Sequence, residues 1–188
     1  SSNTSIGSAS LSVNVHSSRN TAVGSNSLES HNLASAGNGY NTAVGYNSGL
    51  AVTTGTLNTF VGGLAGDANT TGASNTGLGF QALSANTTGA SNVAVGSGAL
   101  TSNTTGAGIV AVGKNSMNSN TTAIDNTAVG MNSLFTNTTG ASNAAFGRNA
   151  LQANTTASNN TAVGYLSLEA NTTGAQNVAV GQGAANSN

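Results

Sequence analysis

One short motif, Asn-Thr-Ala-Val-Gly or a close variant, returns at Asn3, Asn20, Asn41, Asn58, Asn75, Asn92, Ile109, Asn126, Asn143, Asn160 and Asn177. Successive starts are 17 residues apart, apart from a single step of 21. Self-similarity at a fixed period along a whole chain is the mark of a solenoid, in which no unit folds alone and each covers its neighbour. The consensus unit is N-T-A-V-G-x-x-[SA]-L-x-x-N-T-T-G-A-S, with positions numbered 1 to 17 below. It predicts an all-β fold, a parallel β-roll (β-solenoid) of 17-residue coils forming one segment over 1–188. Ten full coils run from Asn3, a partial coil occupies 177–188, and the four extra residues make an insertion loop over 29–39.

The residue types assign each position a task. Position 4 is apolar in every unit: Ile6, Val23, Val44, Val61, Leu78, Val95, Val112, Val129, Phe146, Val163 and Val180. Stacked coils are expected to turn this column inward. A second core column is expected at position 9, with Leu83, Leu100, Leu134, Leu151 and Leu168 as its regular members. It lapses at Gly49 and Gly66, where Leu50 or Leu64 stands next door to fill the gap. Alternation along Thr-Ala-Val then places the alanines of position 3 outward, as a small-residue stripe suited to a partner. Position 5 is glycine throughout, including Gly24, Gly45, Gly62, Gly79, Gly96, Gly113, Gly130, Gly147, Gly164 and Gly181, which marks one corner. The Asn-Thr-Thr-Gly run marks the second, because Asn and Gly suit tight turns. The reading is two short strands per coil, no helix, and asparagine ladders beginning at Asn3 and at Asn69.

Composition removes several functions. Charged residues make up 4% of the chain and the net charge is −1, so no field exists to hold nucleic acid or an anionic membrane surface. There is no cysteine for a disulfide or thiolate metal site. No apolar run approaches the ~20 residues that span a bilayer.

The anchor Asn-Thr-Ala-Val-Gly-x-x-Ser, cleanest at Asn126–Ser133 and Asn160–Ser167, resembles the head repeats of YadA-like trimeric autotransporter adhesins. It is also similar to repeats in tail fibres of phages and contractile injection systems, and the likeness runs from Asn3 to Asn188. The resemblance implies a left-handed roll, three identical chains side by side, and display at a cell or virion surface toward a receptor or matrix. The unit is longer than that of the adhesin heads, and residues 1–188 are expected to be repeat throughout, without a stretch resembling their neck, stalk or anchor. Both ends cut the repeat, so the segment is expected to belong to a longer fibre or to stack end to end.

Chemistry-bearing residues are few. Glu29, Asp67, Asp125 and Glu169 never fall in adjacent coils, so no carboxylate pair of the kind glycosidases use is expected. His16 and His31 read as solvated turn residues, and no cofactor or metal is expected. The insertion offers Glu29, His31, Asn32 and Leu33 as a recognition loop, since loops on a rigid scaffold carry binding. Position 6 varies most in chemistry, with Tyr46, Phe80, Lys114, Met131, Arg148 and Tyr165. Seven Asn-x-Thr sequons, from Asn69 to Asn171, could carry glycans or could be turn chemistry alone. The expectation is a non-catalytic fibre segment; the alternative is a monomeric ice-binding or filament-forming solenoid.

Overall fold

The computed structural model describes residues 2–186. One three-residue strand per coil forms in the Thr-Ala-Val segment, and the eleven strands build a single parallel sheet. Strands β1 (Thr4–Ile6), β3 (Thr21–Val23) and β5 (Thr42–Val44) open it. Strands β6 to β13 follow at Thr59–Val61, Thr76–Leu78, Val93–Val95, Val110–Val112, Thr127–Val129, Ala144–Phe146, Thr161–Val163 and Val178–Val180. Each pairs with the next in chain order and in unshifted register, so Thr127, Ala128 and Val129 lie beside Ala144, Ala145 and Phe146. The fold is therefore a parallel β-solenoid of about ten turns, with no helix among the described residues. At a strand spacing of ~4.8 Å, ten steps make a rod of about 50 Å.

The expected second strand in every coil does not form. Among the described residues only the first two coils carry one, where β2 (Ser17–Ser18) pairs with β4 (Gly37–Asn38). Elsewhere the rest of each coil is a run of turns, made possible by three left-handed residues per coil. In the eighth coil these are Asn132 (φ 56°), Leu134 (φ 48°) and Ser142 (φ 56°), at positions 7, 9 and 17. Isolated asparagine visits this region readily; leucine does so against its Cβ, at roughly 1–2 kcal/mol. Its burial in the core offsets that strain. The position 5 glycines are forced twice over: Gly130 sits at φ 137°, and a Cβ there would lie 2.5 Å from the Gly147 carbonyl of the next coil.

The core corrects the expected orientation of the strands. Position 3 points in: Ala22, Ala43, Phe60, Ala94, Ala111, Ala128, Ala145 and Ala162 are fully buried. The position 9 residues Leu28, Leu83, Leu100, Met117, Leu134, Leu151 and Leu168 are buried with them. Position 4 points out. Ile6, Leu78, Phe146, Val163 and Val180 are exposed, and Val23, Val44, Val61, Val95, Val112 and Val129 are half-buried. The physical reason is space. A coil this small already holds a leucine and two asparagines in cross-section, which leaves room behind the sheet for a methyl group but not for a row of valines. Position 8 closes the gap further: Ser116 and Ser167 donate to the carbonyls of Ala128 and Ala179, both at 3.1 Å.

The lapse in the leucine column is also filled differently from expectation. Leu50 and Leu64 remain half-exposed. The ring of Phe60, which replaces the usual alanine, occupies the space instead. A Cβ would meet that ring at 3.2 Å from Gly49, at 2.4 Å from Gly66 and at 3.1 Å from Gly77.

Two asparagine columns run inside the coil. At position 1 each side-chain oxygen accepts the backbone N–H of the equivalent residue one coil on; Asn75 Oδ1, for example, accepts from Asn92 N at 3.0 Å. Its Nδ2 donates to the Gly89 carbonyl at 2.8 Å, tying it to the Asn-Thr-Thr-Gly corner. At position 12 the side chains form an amide ladder, Asn86 to Asn69 at 2.6 Å and Asn103 to Asn86 at 2.7 Å. Each also donates to the position 15 carbonyl of its own coil, as Asn86 does to Gly89 at 3.0 Å. These pairings satisfy the buried amides of both columns apart from Asn160 Nδ2, which has no partner among the described residues.

Candidate functional site

Because the alanines turn inward, both outward positions of every strand belong to one flat face. Position 4 contributes its unbroken aliphatic and aromatic column. Position 2 contributes Thr4, Thr21, Thr42, Thr59, Thr76, Val93, Val110, Thr127, Ala144, Thr161 and Val178. From β7 to β11 the exposed members include Leu78 at 46% and Phe146 at 41%, so large apolar groups face outward in mid-rod as well as at the ends. Isolated surface leucines need no explanation, but a contiguous apolar face along a whole rod does.

Two rims border this face. The position 6 rim carries Tyr46, Phe80, Lys114, Met131, Arg148 and Tyr165, all exposed. Here Phe80 lies beside Gly63, and the Arg148 guanidinium sits 5.8 Å from the Tyr165 ring centre. The position 17 rim carries Arg19, Tyr40, Leu57 and Asp125, exposed as well. Arg19 Nη1 donates to the Tyr40 hydroxyl, and its guanidinium stands 5.5 Å from that ring centre.

The recognition loop expected from the insertion divides. Glu29, Asn32 and Leu33 are half-buried at the surface, while residues 34–36 project. His31, expected in solvent, is fully buried: it takes the place of asparagine in the position 12 column, between the coils of Asn14 and Val52. Its Nε2 accepts from Ser17 Oγ at 2.8 Å and from Asn41 Nδ2 at 3.3 Å. The Ser17 hydroxyl is free to donate because its oxygen accepts from Asn20 Nδ2 at 2.9 Å. Burial lowers the His31 pKa below its ordinary 6.5. Asn32 Oδ1 accepts from Val15 N and His16 N, which pins the root of the loop.

The remaining candidate chemistry stays dispersed. Asp67 is half-buried, and burial raises its carboxyl above the usual range. No group of three His, Asp or Glu side chains converges among the described residues. The sequon asparagines Asn69, Asn86, Asn103, Asn120, Asn137 and Asn154 are fully buried, and the nitrogens that would carry sugar are the donors of the ladder. In the folded coil those nitrogens are closed to modification. The Thr array fares similarly at position 13, where Thr87 Oγ1 donates to the Thr104 carbonyl at 3.0 Å. The next threonines, such as Thr88 and Thr105, are exposed, as are Thr53 and Thr172 of position 13 itself.

The sequence could have revealed the outward face. Position 3 varies in size inversely with its surroundings, Phe60 opposite Gly49 and Gly66, which is how a core position behaves. Position 4 accepts Leu78 and Phe146 without any compensating small neighbour, which is how a surface position behaves. No family model, curated protein or solved structure matches the chain.

Proposed function

We propose that this chain is a non-catalytic segment of a trimeric fibre displayed outside a cell or on a virion, of the adhesin or tail-fibre kind, in which it spaces and presents attachment determinants. The observation that carries this reading is the apolar position 4 column on the outward face of the sheet. A partner of matching length and repeat is needed to cover it, and an identical chain has both. The resemblance of the Asn-Thr-Ala-Val-Gly-x-x-Ser anchor to trimeric adhesin heads and tail-fibre repeats points the same way, and from it come the left-handed coil and the extracellular setting.

The experiment is native mass measurement on the parent and on Val112→Lys/Val129→Lys, with Leu134→Lys for contrast. The parent should run as a trimer. The outward pair should dissociate it and keep the β-signature, whereas the inward Leu134→Lys should unfold the neighbouring coils. A parent that remains monomeric at tens of micromolar removes the trimer. The same face favours a second reading, an ice-binding monomer, because Thr21, Thr42, Thr59 and Thr76 stand on it in successive coils, each flanked by an aliphatic group. Thermal hysteresis from a monomeric parent is its test.

A further inference from the structure

The two rims of the apolar face match level by level, and only in one arrangement. Asp125, position 17 of the seventh unit, leads directly into the strand of the eighth, at whose level Met131 holds position 6. Lys114 and Arg148 hold position 6 one coil to either side. Within one chain these charges lie beyond opposite ends of the three-residue strands. The Asp125 carboxylate leans back over the bare Gly108, where a Cβ would come within 2.6 Å of its Oδ1, toward the level of Lys114. A second band lies lower on the rod. Tyr40 and Leu57, the last residues of the second and third units, are exposed on the position 17 rim, level with Tyr46 and with Gly63, over which the Phe80 ring lies.

Resting on the trimer reading above, we propose that copies of this chain associate parallel and in register through unlike rims, with Asp125 of one copy set between Lys114 and Arg148 of the next. In a closed ring about an axis parallel to the rod, the position 17 rim of each copy meets the position 6 rim of its neighbour at the same height. The anion then meets two cations, and Leu57 meets the apolar patch made by Tyr46 and the Phe80 ring that lies over Gly63. Antiparallel copies, by contrast, bring like rims together and reverse the heights. About the middle of the eleven coils, the eighth then faces the fourth, and Asp125 is set against Leu57. The charges thus select orientation while the apolar column supplies the association, a division common at interfaces.

Sedimentation of the full chain tests this. Lys114→Glu/Arg148→Glu should weaken association by ~10-fold or more at low salt, and adding Asp125→Lys should restore it. A double substitution without effect, or one that Asp125→Lys fails to rescue, overturns the proposal. Orientation is read separately by cysteine pairs in this cysteine-free chain. Asp125→Cys/Met131→Cys, too far apart to bridge within a chain, should give interchain disulfides, and Asp125→Cys alone should give none. A disulfide dimer from the single variant would show like rims meeting and would also overturn it. Since a monomeric parent defeats the trimer reading before any variant is made, the two failures are distinct.

Discussion

Phe60 shows how tightly one side chain can bind three coils. Its ring is fully buried and borders Gly49, Gly66 and Gly77, each of which lacks the side chain its column would otherwise carry. Phe60→Ala should cost ~3–5 kcal/mol in thermal or chemical unfolding, since the glycines cannot collapse into the space. Gly66→Leu alone should also destabilise, because its Cβ would meet the ring at 2.4 Å. Combined, the two substitutions rebuild the ordinary Ala-plus-Leu coil, and the double variant should be more stable than either single one. Additive losses would show that the ring does not fill the leucine site. His31 sets a second expectation at this scale. Its folded pKa lies below 6.5 while the unfolded chain keeps the ordinary value, so the unfolded state binds the proton first. The stability of the first coils should be full above pH 6.5 and should fall as pH drops below it; His31→Asn, which restores the ladder residue, should flatten that dependence. Unfolding midpoints of both chains across pH 5 to 8 check it.

At the scale of the coil, hydrogen bonding carries what the small core cannot. Asn75 is held by acceptance from Asn92 N and donation to the Gly89 carbonyl, both inside. Replacing it by alanine leaves a buried N–H short of its acceptor and a carbonyl short of one donor, at ~1–3 kcal/mol each. Asn75→Ala should therefore destabilise by ~2–5 kcal/mol despite removing no apolar contact, as measured by equilibrium unfolding. The chain tolerates one such break: Ile109, fully buried, donates its N–H to Asn92 Oδ1 at 3.1 Å but offers no acceptor to the coil above. Both asparagine columns and the position 5 corner were legible in the sequence, because each needs one residue type for one reason. The left-handed turn at position 9 was not. Leucine gives no sign of that conformation, and its recurrence was fully accounted for by burial.

For the rod as a whole, strands meet only their chain neighbours, so stability accumulates coil by coil. Removing one complete unit, residues 143–159, joins Ser142 to Asn160 and leaves every column in phase. That deletion should keep the fold and lower the melting temperature by a few degrees, whereas removal of 143–155 puts all later columns out of register and should abolish the coils beyond it. Circular dichroism and melting of the two deletions separate these outcomes.

The sequence alone determined the period, the number of coils, the parallel stacking and the residues of the two asparagine columns, since a short β-rich unit repeated in phase stacks each residue on its own equivalent. Which face of each strand looks inward was decided by the tertiary structure, and the sequence carries a trace of it only around Phe60, set against Gly49 and Gly66. A Thr-Ala-Val strand alternates equally well either way, and a shift of one residue exchanges its faces. The choice came from volume: with leucine and two asparagines already across the coil, alanine fits behind the sheet and valine does not, so the apolar column lies on the outside of the rod.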